Sequence, residues 1–358
     1  MRIFLDEKLG VSPGACLRAL YREYPEHPCA DVCPRKAITF EPLSVDFGLC
    51  DDCGICAGVC PTDALRIKES YYGKVFKSAC PGEGGEIRIR CSAATGECTE
   101  VQCLGALDAA FLAMLGAKSK KKIRLITGDC GKCDKAPGGE VARSNADTAL
   151  KVLSMYKTDA WISLVDSGEA GGTAGYSRRG LFKGMGTALS KFVAGVTPDG
   201  QEEAAGRRSV PGKRLRMLAV IKGLDAGNER VAPGSPLPFS GKEIDGSSCD
   251  GCRGLTRCVT FCPTGALALS SGKDSSSGIT FEAGRCIGCD LCATVCAKKA
   301  VTSKPLNLTE FDELWQTRRL VSFETQRCEG CDGMSIDIRE GLCPGCLQRE
   351  RKLRWESV

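Results

Sequence analysis

Cys50-Asp-Asp-Cys53-Gly-Ile-Cys56-Ala-Gly-Val-Cys60-Pro61 is the stretch whose reading decides the fold. Its four cysteines are spaced x2, x2 and x3, and a proline closes the run. Three thiolates this close in sequence can wrap one cuboidal iron–sulfur cluster, while the fourth, turned away by the proline, reaches a second cluster. The same run recurs at Cys286, Cys289, Cys292 and Cys296. Upstream of each lies a half-run: Cys29-x3-Cys33-Pro34 before the first, and Cys249-x2-Cys252-x5-Cys258-x3-Cys262-Pro263 before the second. Beyond the last cysteine of each, the chain repeats a small apolar pair: Ala37-Ile38, Ala64-Leu65, Ala266-Leu267 and Ala300-Val301.

This internal repeat resembles the two-fold fold of bacterial-type dicluster 4Fe–4S ferredoxins, in which each cysteine run leads through a short helix into a strand. The resemblance covers roughly residues 1–80 and 243–305. It implies that Cys50, Cys53 and Cys56 join Cys33 on one cluster, and that Cys60 joins Cys29 and Cys16 on another. A fourth ligand for that second cluster is missing from the pattern. Spacing puts it near Glu26, beside His27. Three outcomes are open: a 3Fe–4S cluster, a cluster with His27 or Cys80 as fourth ligand, or no second cluster. The plain alternative for His27 is a solvated loop residue. In the later copy the resemblance joins Cys249, Cys252 and Cys258 with Cys296, and Cys286, Cys289 and Cys292 with Cys262. Two features depart from the usual run, the x5 gap before Cys258 and Ala297 where a proline is usual. Neither removes a ligand.

The bulk numbers agree with a metal-rich, multidomain chain. At 358 residues it is too long for one small core. Its 25 cysteines are odd in number and sit in CxxC clusters, which favours metal ligation over a disulfide framework. A single histidine, His27, nearly excludes histidine-based acid–base catalysis and histidine-rich metal sites. The net charge of +5 is modest, and with no zinc-finger or helix-turn-helix pattern it gives no case for nucleic acid. Met1–Gly10 carries Asp6, Glu7 and Lys8 without an apolar core, so no signal peptide is expected. No stretch approaches the ~20 apolar residues of a membrane span. A reducing, cytoplasmic and anaerobic setting follows as the expectation.

Between the two copies the chain changes character. Glu86-Ile-Arg-Ile-Arg90, Ile123-Arg-Leu-Ile-Thr127 and Ala160–Val165 read as strands, and Leu104–Leu115 and Ala142–Tyr156 as helices. That alternation predicts a small open parallel sheet with helices packed on it. Cys91 follows the first strand, Cys130 and Cys133 follow the second, and Cys103 opens the first helix. Such positions converge at the carboxyl ends of strands, where open α/β sheets bind ligands. A helix start at Cys103 would favour its thiolate. Cys91, Cys103, Cys130 and Cys133 are therefore a candidate further cluster site, with Cys98 as a substitute or extra ligand. The alternatives are a redox-active CxxC at Cys130–Cys133 in a thioredoxin-like domain, or inert thiols.

Residues 167–242 read as linker, rich in Gly, Pro and Ser. Within it, Ser177-Arg-Arg-Gly-Leu-Phe-Lys183 resembles a twin-arginine export motif, but it stands mid-chain, so Arg178 to Val193 is read as a short amphipathic helix. Lys118–Lys122 and Arg207 to Arg216 hold basic runs, expected as solvated faces, with steering toward an acidic redox partner as the functional alternative. In the tail, Leu308–Leu320 has a helical pattern, and Cys328-x2-Cys331 stands eleven residues before Cys343-x2-Cys346. Two such knuckles predict a tetrahedral four-sulfur site, for zinc as a brace or for rubredoxin-type iron.

The expected fold is thus α+β and multidomain. It comprises ferredoxin module 1 (1–80), a small α/β open-sheet domain (86–166), a linker with a short helix (167–242), ferredoxin module 2 (243–305), and a helix plus four-cysteine ribbon (306–358). The sequence lacks an ordered GxGxxG after a strand, a Walker A loop and a Ser/His/Asp constellation. Many cluster sites without a substrate site suggest an electron relay serving redox partner proteins, and the resemblance is to polyferredoxin-type subunits. The other readings are a thiol enzyme using Cys130–Cys133, or an accessory protein that matures a partner oxidoreductase.

Overall fold

The computed structural model describes residues 2–3, 9–81, 85–167, 209–231, 239–252, 254–271, 276–306 and 308–356. The chain is mixed helix and strand with small sheets. It forms two compact units, Met1–Pro238 and Phe239–Val358.

The main sheet of the first unit runs Arg2–Ile3, Thr99–Val101, Ile87–Cys91, Lys122–Thr127, Trp161–Asp166, all parallel. Cys80–Pro81 pairs antiparallel with the start of Ile87–Cys91. Strand formation follows from side-chain alternation: in Ile87–Cys91 the two isoleucines and the cysteine are buried and the two arginines half-buried. Ile89 and Leu125 are fully buried, each worth about 1.5–3 kcal/mol of transfer free energy. Thr99–Val101 was not expected from sequence, because three residues are too few to show a period. Parallel neighbours usually need a long crossover. Here only residues 92–98 separate Ile87–Cys91 from Thr99–Val101, and this suffices because just three residue pairs are matched.

The first expected helix begins later than its apolar pattern. Leu104–Ala106 is a single 3-10 turn, and the helix proper is Ala109–Ser119. Asp108 fixes that start, since its side chain accepts a hydrogen bond from the Phe111 N–H at 2.9 Å. The second helix, Pro137–Leu153, starts at a proline whose missing donor costs nothing in the first turn.

The expected linker holds a third helix, Gly212–Gly227, packed on Ala109–Ser119. Lys213 and Arg216, expected on a solvated basic face, are instead engaged with the protein's own interior. Arg216 is 5 % exposed, bonds Asp108 at 2.8 Å and Glu69, and lies 4.9 Å over the Tyr72 ring. A guanidinium is buried only where carboxylates meet it, and here two do. The expected helix from Arg178 to Val193 lies outside the described residues.

The two cysteine-run regions share one strand plan. In the first, Gly10–Val11 pairs antiparallel with Leu65–Arg66, and Ile38–Thr39 with Ser44–Val45. In the second, Ser240–Ile244 pairs antiparallel with Val301–Pro305, and Leu267–Ser271 with Ser276–Glu282. Thr317–Glu324 adds a third strand to the latter hairpin. This corrects the helix expected over Leu308–Leu320: a 3-10 stretch spans Leu308–Trp315, and the chain is extended from Thr317. Its arginines and leucine alternate exposed and half-buried, which is a strand pattern that a longer helical window had averaged away.

Candidate metal centres

The cysteine runs make the same turns each time. The second residue between the first two cysteines has positive φ in both full runs, at Asp52 (54°) and Gly288 (69°). So does the residue after the second cysteine, at Gly54 (74°) and Asp290 (52°). Three residues beyond each closing cysteine the chain turns left-handed again, at Lys36 (52°), Asp63 (56°), Gly265 (67°) and Lys299 (52°). Ala297 in place of proline therefore leaves the turn after Cys296 intact. These kinks fold the backbone around a point, so that thiols close in sequence face one volume.

Cys33, Cys50, Cys53 and Cys56 line one cavity with Leu9, Ile38 and Val45 on its apolar side. The Ala37 N–H donates to Cys33 Sγ at 3.4 Å. Burial, then the neighbouring Cys53, Cys33, Cys50 and Cys29 charges, push the Cys56 thiol up. Cys53 is pushed up to about 12 by burial, with Asp51 and then Cys103 adding to it. Cys29 is likewise pushed up to about 12 by burial and then by the Cys60 and Cys16 charges. The Leu65 N–H donates to Cys60 Sγ at 3.4 Å. His27, one candidate for the fourth position, lies 3.5 Å from Asp31 through Nδ1 and stacks near Phe40. The side chain of Cys80 lies outside the described residues.

The middle thiols converge as well. Cys91, Cys103, Cys130 and Cys133 line one cavity at the carboxyl ends of three parallel strands. Main-chain N–H groups point at two of them, Gly128 to Cys91 Sγ at 3.3 Å and Lys135 to Cys133 Sγ at 3.4 Å. Cys98 is buried but does not line this space; its thiol turns to the Thr99 carbonyl at 3.7 Å. The thiolate expected at Cys103 is also corrected. Cys103 precedes a single 3-10 turn, and burial followed by the Cys91, Cys130 and Cys133 charges pushes it up to about 12. One N–H from Gly105 does not outweigh that.

In the second unit, burial and then Cys249, Cys252 and Cys296 push Cys258 up to about 12. Cys292 is pushed up to about 12 by burial and by Cys286, Cys289 and Cys262. In the tail, the Sγ atoms of Cys328, Cys331, Cys343 and Cys346 all lie within 4.8 Å of one another. The Cys343 N–H donates to Cys328 Sγ at 3.1 Å and holds that thiol below its ordinary range.

Cations stand beside these thiol sets, and spacing gave no sign of them. Lys213 Nζ donates to the carbonyls of Ala57 at 2.8 Å and Cys60 at 2.6 Å, and pairs with Asp63 at 3.2 Å. It caps the carboxyl end of the Ile55–Val59 helix, where a positive charge is favoured. Lys242, 1 % exposed, pairs with Asp290 and Ser303 within reach of the Cys286 and Cys292 charges. Arg35 and Lys135 each bond both Asp51 and Asp134. A local signal exists for Arg35, Asp51, Asp134, Lys135 and Asp290, which lie within two residues of a cysteine, and none for Lys213 or Lys242.

Four inward thiols around a cavity, met by main-chain donors, are the donor set and shape that an iron–sulfur cluster requires. Comparison with known families agrees at the two ferredoxin-like stretches. Residues 248–300 match a 4Fe-4S dicluster domain, and residues 23–72 match an LdpA Fe-S cluster-binding domain. The chain therefore carries iron–sulfur, ferredoxin-like modules. Neither match reaches the middle thiols or the tail. No curated protein matches the chain. Among the described residues, no helix is long and apolar enough to cross a membrane.

Proposed function

We propose that the chain is a multi-cluster electron relay, a cytoplasmic subunit that passes electrons between redox partner proteins of an anaerobic oxidoreductase system. The observation that supports this is the pair of cavities lined by Cys33, Cys50, Cys53 and Cys56 and by Cys91, Cys103, Cys130 and Cys133, without a comparable grouping of acid, base and nucleophile among the described residues. In this reading two ferredoxin modules use Cys33/Cys50/Cys53/Cys56, Cys16/Cys29/Cys60, Cys249/Cys252/Cys258/Cys296 and Cys262/Cys286/Cys289/Cys292. The middle domain adds Cys91/Cys103/Cys130/Cys133. When bound, a 4Fe–4S cluster takes up and gives back one electron at a potential set by hydrogen bonds, charge and exposure. The chain's own part is to hold thiols, aim N–H groups at sulfur, and place Lys213 and Lys242 where they offset negative charge.

The tail cysteines form a four-cysteine ribbon in this reading, with zinc as a structural brace. A thiol–disulfide role for Cys130–Cys133 is less well supported. Such cysteines work through a lowered pKa, whereas burial and the neighbouring Cys91 raise that of Cys130. Anaerobic purification with iron, sulfide and zinc quantification, followed by low-temperature EPR of the reduced protein, tests the proposal. Several interacting low-potential clusters are expected; iron near zero with no signal would end it.

A further inference from the structure

Two of the thiol sets in the first unit each contribute a cysteine to one buried group. Cys53 and Cys103 belong to a single buried group with Ile55 and Val141. Three glycines allow the approach. A Cβ on Gly58 would overlap the Gly105 carbonyl oxygen, and one on Gly105 would stand 2.8 Å from the Gly138 oxygen. A Cβ on Gly138 would overlap Cys103 Sγ and stand 2.9 Å from Ile55 Cδ1. With no side chain at these positions, the Ile55–Val59 helix lies directly on the turn that carries Cys103.

A ring of four charges links residues beside the two thiol sets. Arg35 bonds Asp51 at 3.3 Å and Asp134 at 2.7 Å, and Lys135 bonds the same two at 3.4 and 3.1 Å. Arg35 and Asp51 line the cavity of the first thiol set, and Lys135 lines that of the second. Ordinary surface ion pairs contribute little. This ring differs in that Lys135 is 12 % exposed and every member adjoins a cysteine run.

We propose that the glycine seam and the Asp51–Lys135–Asp134–Arg35 ring hold the Cys33/Cys50/Cys53/Cys56 and Cys91/Cys103/Cys130/Cys133 sites as one coupled redox pair. The proposal rests on reading the second set as a cluster site. One electron crosses through the buried group that holds Cys53 and Cys103. The donor side is oxidised by one electron, the acceptor side is reduced by one, and no bond or proton changes hands. Two cations and two anions fixed between the sites face equal and opposite charge changes on either side, so little polar reorganisation accompanies the transfer.

The test uses the full chain, purified anaerobically, with the double variant Cys130→Ser/Cys133→Ser. It should lose about four irons per chain, and the remaining EPR signals should lose spin–spin broadening and relax more slowly. Iron lost with an unchanged remaining spectrum overturns the coupling and leaves the cluster site standing. Undiminished iron overturns the cluster site and the coupling with it. Lys135→Gln keeps every thiol and the N–H that Cys133 accepts. It should leave iron content unchanged and move both couples to lower potential together; movement of one couple alone, or of neither, overturns the shared ring.

Discussion

At the scale of single residues, the cysteines explain why metal and fold depend on each other. Burial first, and mutual repulsion after it, raise Cys29, Cys53, Cys103 and Cys258 from an ordinary 9.0 to about 12. Without metal these thiols keep their protons at neutral pH, so loading a site must expel protons. A thiol with a folded pKa above its unfolded one contributes stability that is complete below pH 9 and is lost as pH climbs toward 12. The iron-stripped chain should therefore have a lower denaturant midpoint at pH 10 than at pH 8. Equal midpoints would show that these thiols ionise as freely in the folded chain as in the unfolded one. The cysteine runs were legible because their x2, x2 and x3 spacings stand in the sequence, whereas which thiols share a cluster came only from the ferredoxin resemblance. Lys213 and Lys242 were not legible, since their chemistry lies in distant partners: Lys213 serves a carbonyl 153 residues earlier.

At the scale of elements, strands with alternating apolar positions were read correctly, and the Pro137–Leu153 helix was found with its start some residues late. The Gly212–Gly227 helix was missed. Its neighbours in sequence are glycine- and proline-rich, and its cations look solvated until Asp108 and Glu69 are seen to meet Arg216. Burial alone would weaken the Arg216 charge, but those two carboxylates reverse the direction and raise its pKa. Arg216→Ala leaves Asp108 buried without its cation, so a loss of about 3–5 kcal/mol is expected from anaerobic urea unfolding. A change below 1 kcal/mol would place this helix among the dispensable parts of the unit.

At the scale of the molecule, the repeat of turns and strand pairing was visible as a repeated cysteine run, whereas the strand that Thr317–Glu324 adds was not, because it borrows its partner from the hairpin before it. The tail gives a separable check on the metal inventory. Cys331 belongs to a thiol set that shares no residue with the others, so Cys331→Ser should abolish bound zinc and leave the iron count unchanged. Loss of iron instead would assign that set to iron. The buried Arg216 also bears on the order of synthesis. Asp108 leaves the ribosome 108 residues before Arg216 does, an interval of roughly 5–20 s at ordinary elongation rates of ~5–20 residues per second. Over that time two acidic groups destined for the interior have no counter-charge, and the Cys60 carbonyl has no ammonium. A nascent chain is thus held short of its final packing while its first cysteine runs are already exposed to whatever delivers iron and sulfide.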